Sequence, residues 1–262
     1  MKHHLKLYFQ LFFASMKGMM EYRVDFIVGM ISQGLYQLIE LIFIFIVFQH
    51  TSTIHGWNYY QILLLYGLLN MGLGYVDLFF DGLYDVGPVY VKDGSFDLIL
   101  LRPIHPLISV SANSRSLTAA GYMITGFLLI LFSLIKLQIS ITVGLIFYIL
   151  FASLIGGIII GAILALLCIS SFWTINSNEI CWSAFTLYRF AEYPISIYNN
   201  AIRFVLIFLV PFAFVSYFPA EFLLKKEFGM VSFLGPIVAL ILWIIAIKAW
   251  NFGLKHYKSS GS

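Results

Sequence analysis

Charge is what this sequence has least of. Asp, Glu, Lys and Arg make up 10% of its 262 residues and 61% are hydrophobic, whereas an average soluble domain carries about a quarter charged residues. A solvated surface cannot be built from that ratio, so an aqueous globular fold is excluded and the chain is read as an integral membrane protein with lipid as its solvent. Cysteine is scarce as well: Cys168 and Cys181 form no C-x-x-C, no metal-ligand spacing and no secreted disulfide pattern, and read as reduced packing thiols. No Gly-x-x-x-x-Gly-Lys-Ser/Thr loop occurs, so the chain cannot cradle a nucleoside triphosphate in the P-loop manner; if ATP powers it, another chain binds the ATP. The six histidines offer no H-E-x-x-H, and each lies near an end of an apolar run, which removes a zinc protease and an intramembrane serine-histidine dyad. No catalytic residue, no metal site, no bound cofactor and no nucleic-acid partner are expected.

What the sequence has instead is long, continuous apolar runs. A transmembrane barrel needs alternating segments of roughly ten residues, whereas about 20 apolar residues make one helical crossing. The expected fold is therefore all-α, with six transmembrane helices. Spans are expected at about 25–48, 59–80, 117–135, 141–172 and 233–250. Lys136-Leu137-Gln138 makes a very short turn, so the third and fourth spans form an antiparallel hairpin, and Gly235-Pro236 suits the first turn of the last helix. No small-residue cleavage site follows an early apolar core, so the mature chain is expected to begin near Met1. Residues 3–24 differ from the spans: Lys6, Gln10, Lys17 and Glu21 share one narrow sector at 100° per residue, which predicts an interfacial helix. Ser259-Ser260-Gly261-Ser262 reads as a linker-like tail outside the single domain 1–258.

Between Thr174 and Gly229 two arrangements fit. In one, 178–199 lies on the membrane surface and 201–218 crosses once; in the other, 177–194 crosses while shielded by other helices and 200–218 is a re-entrant or external hairpin broken at Pro211. With the N-terminus inside, the first places twelve of the fifteen basic residues in the cytoplasm and the second ten, so both are positive-inside with both termini cytoplasmic.

Three groups of residues stand out. Gln33, Gln37 and Glu40 lie on one face of the first span, as a polar stripe lining a translocation route or pairing with another helix. Asp77, Asp81 and Asp85 repeat at i, i+4 and i+8 at the end of the second span, either attracting a cationic substrate or pairing with Arg102 or Arg115. Gly156-Gly157 with Gly161 is a close-packing signal.

A fourth region is 85–106. Val89-Tyr90-Val91-Lys92 is short and amphipathic, Asp93-Gly94 breaks it, and Phe96-Asp97-Leu98-Ile99-Leu100-Leu101 is a second apolar run stopped by Arg102-Pro103. A loop between spans has no use for so many apolar side chains unless they cover something, which marks a docking element on the cytoplasmic face. Here the chain resembles the type-2 ABC exporter permeases, and more narrowly the six-span bacterial permease family of uncharacterised ABC transport systems. The resemblance is carried by Gly56-Trp57, Leu63-Leu64-Leu65-Tyr66-Gly67, Asp97-Leu98-Ile99-Leu100-Leu101-Arg102-Pro103, Tyr193-Pro194-Ile195-Ser196-Ile197-Tyr198, Pro211 and Tyr217-Phe218-Pro219-Ala220, in order over most of the chain.

That resemblance implies that 85–106 holds a coupling helix for an ATP-binding subunit, with Val89, Tyr90, Gly94, Phe96, Asp97, Leu98, Leu100, Leu101, Arg102 and Pro103 as its coupling residues. It favours the re-entrant arrangement, with an external segment over 195–231. Gln33, Gln37, Glu40, Asp77 and Asp81 become the candidate path or interface. The partners it implies are two copies of an ABC ATPase, which hold ATP and Mg, and a second permease, identical or homologous, in the bacterial cytoplasmic membrane. The expected function is ATP-driven export of a hydrophobic or amphipathic substrate such as a peptide, an antimicrobial or a lipid. The alternative is a scaffold or sensor that docks a cytoplasmic partner through 89–103 without transporting anything.

Overall fold

The computed structural model describes residues 23–113, 118–174, 178–226 and 228–257, together with 7, 8, 10, 13 and 17. Most of the interfacial helix expected over 3–24, Arg115 and the tail after 257 lie outside the described residues. The seven described positions in 3–24 are helical, and the Tyr8 hydroxyl donates to Phe79 O at 3.4 Å.

Ten α-helices follow: α1 (Arg23–His50), α2 (Tyr59–Phe79), α3 (Phe96–Leu100), α4 (Pro106–Ser111), α5 (Ala119–Lys136), α6 (Val143–Cys168), α7 (Asn178–Leu187), α8 (Asn200–Phe204), α9 (Tyr217–Leu223) and α10 (Gly235–Leu254). Five stretches are long and apolar enough to cross a membrane: Val24–His50, Tyr59–Phe79, Ala119–Lys136, Val143–Phe172 and Gly229–Leu254. The chain is thus an all-α, multi-pass membrane protein, and no strand occurs among the described residues. One end of the bundle carries the turns 51–58 and 137–142 and is called the turn end; the other carries 80–113 and is called the segment end.

α2 is the central element. Every residue from Ile62 to Gly74 is buried, as expected of a helix that is apolar all round. Asn58 starts it with a capping box, accepting from Gln61 N at 3.0 Å while its own N–H donates to Gln61 Oε1 at 3.1 Å. Its neighbours α5 and α6 approach through glycine. A β-carbon at Gly126 would sit 2.8 Å from both Gly67 O and Met71 N, and one at Gly157 2.8 Å from Gly72 O. Small residues let membrane helices come close enough for backbone contact to replace the hydrophobic effect that lipid does not supply. The fourth-span glycines expected to pack do so, Gly161 meeting the Phe80 ring and Gly156 the Val215 side chain. By contrast α1 stands at the periphery: among its described residues only Gln37 and Ile44 are buried, and Gly121 of α5 leaves room for the Gln33 side chain.

Two helices at the turn end finish in the same way. After α5, Gln138 N donates to Ile135 O and Ile139 N to Leu134 O; after α9, Lys225 N donates to Phe222 O and Lys226 N to Glu221 O. Each is a Schellman motif, whose left-handed residue is usually glycine. Here those residues are Gln138 (φ 55°) and Lys225 (φ 53°), at a backbone cost of about 1–2 kcal/mol each.

Between Thr174 and Gly229, where the sixth crossing is expected, the described chain is broken into short helices, and the bent pair there is either one broken span or a re-entrant hairpin. α7 with the 3-10 turn Tyr188–Ala191 reaches about 23 Å at standard rises, short of the ~30 Å hydrocarbon layer, so a crossing here also takes in the irregular residues that follow up to Asn199. The apolar stretch after it is broken: Asn200–Leu209 and Phe212–Leu223 meet at 73°. Pro211 has no N–H to continue the helix, and Val205–Leu209 has already widened to a π turn. The break lies deep in the bundle, because Val215 just beyond it packs on Gly72 and Gly156, midway along α2 and α6. From there the chain returns to the turn end, where the Tyr217 ring lies 5.5 Å from Trp57 and Lys226 Nζ sits 3.5 Å over the Trp57 ring. Burial of this lysine pulls its pKa below the usual value.

Candidate functional site

The segment end is built from short turns because Gly82, Pro88, Gly94, Pro103 and Pro106 leave no run long enough for a regular helix. A 3-10 turn (Asp81–Leu83) and a π turn (Val86–Val91) lead to Gly94, whose φ of 70° reverses the chain into α3. This corrects the expected acidic stripe. α2 ends at Phe79, so Asp77, Asp81 and Asp85 do not share one helical face; Asp77 is buried and accepts from the Thr118 hydroxyl. Arg102 Nη1 donates to Ser109 Oγ at 3.0 Å, and the expected pairing with Arg115 lies outside the described residues.

α3 has two sides. Phe96 and Ile99 face inward, and Phe96 is fully buried with its ring 5.3 Å from Phe172 and 5.0 Å from Tyr257. Phe172 in turn packs edge-on against Trp250, and the Tyr257 hydroxyl donates to Asp97 Oδ1 at 3.1 Å. His105 Nε2 lies 2.9 Å from Asn251 Oδ1. These contacts fasten the segment to the ends of α6 and α10. On the outer side Leu101 is 81% exposed and Leu98 66%, with Leu100 and Val89 also exposed, rimmed by Lys92, Arg102 and Pro103. The expected coupling residues therefore divide: Val89, Leu98, Leu100, Leu101, Arg102 and Pro103 form a surface, Tyr90 and Phe96 are buried, Asp97 is held by Tyr257, and Gly94 shapes the turn. Treating Phe96 as part of an exposed run is wrong, because its ring fills the aromatic socket formed by Phe172 and Tyr257.

Residues 35–261 match the family described as ABC-2 family transporter protein. The chain belongs to that family. It is accordingly a transmembrane subunit of an ABC transporter, whose family works with ABC ATPase partners. Among curated proteins and among solved structures, none matches the chain.

Within this ABC-2 chain the polar stripe of α1 lies against the bundle. Gln37 is fully buried, and neither its amide oxygen nor its nitrogen has a hydrogen-bond partner among the described residues. Glu40 meets Arg189 from the turn after α7: Arg189 Nη2 lies 3.0 Å from Glu40 Oε1 and donates to the Tyr36 hydroxyl at 2.8 Å. Glu192 interacts electrostatically with both members of the pair. Asp77 lies further along α2 and reaches this neighbourhood through Tyr122, which interacts with Asp77, Gln33 and Tyr36. Tyr66, which feels the Glu40 charge, stands eleven residues before Asp77 on α2, about 16 Å along the helix.

Arg189 and Glu192 are the residues sequence reasoning missed here. Their charges disfavour a lipid-facing span at 178–193, which is the signal the sequence holds, but which carboxylate Arg189 meets is set by tertiary packing. Tyr36 carried no signal at all.

Proposed function

We propose that this chain is one permease of an ATP-driven exporter, coupled to a separate ATPase through the Leu98, Leu100 and Leu101 surface, in the bacterial cytoplasmic membrane with both termini cytoplasmic. The single observation that carries this reading is the division of α3, which is clamped on one side and bare on the other. An apolar face held on a rigid mount and offered to the aqueous side is what a partner needs in order to push. ATP can shift a membrane equilibrium only through contacts that differ between nucleotide states, and the aromatic socket would carry such a push into α6 and α10. Two ATPase copies, holding ATP and Mg, and a second permease complete the assembly.

The Arg189–Glu40 pair supports a transport role over a passive scaffold. Arg189 is half exposed beside the middle of α1, where a charge facing lipid costs about 2.5–3.5 kcal/mol. That face therefore meets a second permease or an aqueous path. Exported molecules would be hydrophobic or amphipathic, in keeping with the predominantly apolar bundle. Purification of the full chain from its host, followed by identification of bound proteins and ATPase assay, tests the reading. Recovery of a P-loop protein whose turnover depends on this chain supports it, and purification without any ATPase removes it.

A further inference from the structure

A cavity of about 1060 Å³ opens at the turn end, between the α5–α6 turn and the chain that follows α9. It lies at the upper end of the about 300–1,000 Å³ typical of small-molecule sites. Its wall is preformed, because Tyr148, Phe222 and Phe233 hold one another, with ring centroids 4.3, 5.7 and 5.0 Å apart, and the Tyr148 hydroxyl lies 2.5 Å from Ser232 Oγ. The lining also has a direction. Gln138, Thr142 and Lys225 lie at the rim, while Phe151 lies eight residues into α6, about 12 Å deeper. Among the described lining residues Lys225 alone is charged. Moreover, Gln138 and Lys225 are the two left-handed residues that close α5 and α9, so the cavity rim keeps polar side chains where glycine would relieve the backbone.

We propose that this cavity binds an anionic phospholipid from the surrounding leaflet, its acyl chain along the aromatic wall and its headgroup at Lys225. A rim at headgroup level, a cation there and an apolar shaft below match that ligand end for end. The proposal needs only that the chain spans a bilayer, and stands apart from the coupling reading above.

The test uses the full chain in nanodiscs of phosphatidylcholine with a minor share of phosphatidylglycerol, and native mass spectrometry of the lipid retained after release into detergent. Wild type is expected to keep one phosphatidylglycerol per chain in preference to phosphatidylcholine. Lys225→Asn, a substitution compatible with the left-handed backbone, should lower that preference about fivefold. Gly144 lines the cavity and a β-carbon there meets nothing within 4 Å, so Gly144→Trp starts its side chain in open space and should abolish retention. Equal retention of both lipids by wild type, or no retention of either, overturns the proposal. Wild-type retention by Gly144→Trp overturns the cavity as its site.

Discussion

Arg189 Nη2 stands 3.0 Å from Glu40 Oε1, and the same nitrogen donates to the Tyr36 hydroxyl at 2.8 Å. The pair joins α1, otherwise the least buried of the five spans, to the turn that follows α7. Arg189 is half exposed, and beside a membrane span that exposure faces lipid, a partner or an aqueous path and not bulk water, so the screened values of surface pairs do not apply to it.

Glu40→Leu is expected to insert while transport falls, because on the proposed reading the carboxylate lies on a path or interface. Transport in vesicles and expression level are the measurements. If Glu40→Leu transports at the wild-type rate, the pair is only a tether for α1. The swap Glu40→Arg with Arg189→Glu separates the two roles, since a tether would be restored and a site for charge of one sign would not.

The bare and clamped sides of α3 predict different failures. Leu98→Ser with Leu101→Ser should leave thermal stability in detergent unchanged and weaken ATPase binding by about 2 kcal/mol or more, as loss of an apolar anchor does. Phe96→Ser should instead lower stability by about 3–5 kcal/mol, the range for emptying a large aromatic site. Retained ATPase in the double Leu variant would remove this surface from the coupling assignment.

Much of this was legible in the sequence. Five spans were visible because a bilayer demands long apolar runs, and their expected ends fall within a few residues of the observed helices. The exposed apolar segment and the inward stripe of Gln33, Gln37 and Glu40 were visible for related reasons of cost. What the sequence hid is what tertiary packing decides. A five-residue helix such as α3 is too short for periodicity to tell that Phe96 turns in and Leu98 out. The acidic repeat assumed that α2 continues past Phe79, whereas Gly82 fits against Val110 O at a distance no side chain allows. Arg189 showed that its helix could not face lipid, but nothing in one dimension names Glu40.

Close approach of α2 and α5 gives a paired prediction. Gly126→Ala places a β-carbon 2.8 Å from Gly67 O and Met71 N, both backbone atoms, and should destabilise by about 1–3 kcal/mol. Gly34→Ala on α1 meets nothing within 4 Å and should stabilise by up to about 1 kcal/mol through helix propensity. Thermal unfolding of both variants in one detergent checks the contrast, and equal effects would mean that glycine contact does not set this helix spacing.

Gln138→Gly should raise stability, since it relieves the left-handed backbone that closes α5; about 1 kcal/mol is expected, within the cost of that conformation for a side-chain-bearing residue. A melting temperature unchanged or lowered would show that the Gln138 side chain contributes contacts worth as much as the strain.

Topology is the last prediction. The 73° break at Pro211, with Val215 against the middle of α2 and α6 and Tyr217 back at Trp57, suits a hairpin that enters and leaves on the turn side. Asn199 and Lys225 are both exposed and bracket the two legs. Cys168 and Cys181 are buried free thiols, so replacing them with Ala removes background without opening a surface. Asn199→Cys and Lys225→Cys should then both react with an impermeant thiol reagent added outside intact cells. Under a single crossing only Lys225→Cys would react, and Asn199→Cys would need permeabilised cells. That second pattern would restore the charge distribution with twelve of fifteen basic residues inside as the better guide, and would make α8 and α9 the two halves of one kinked span.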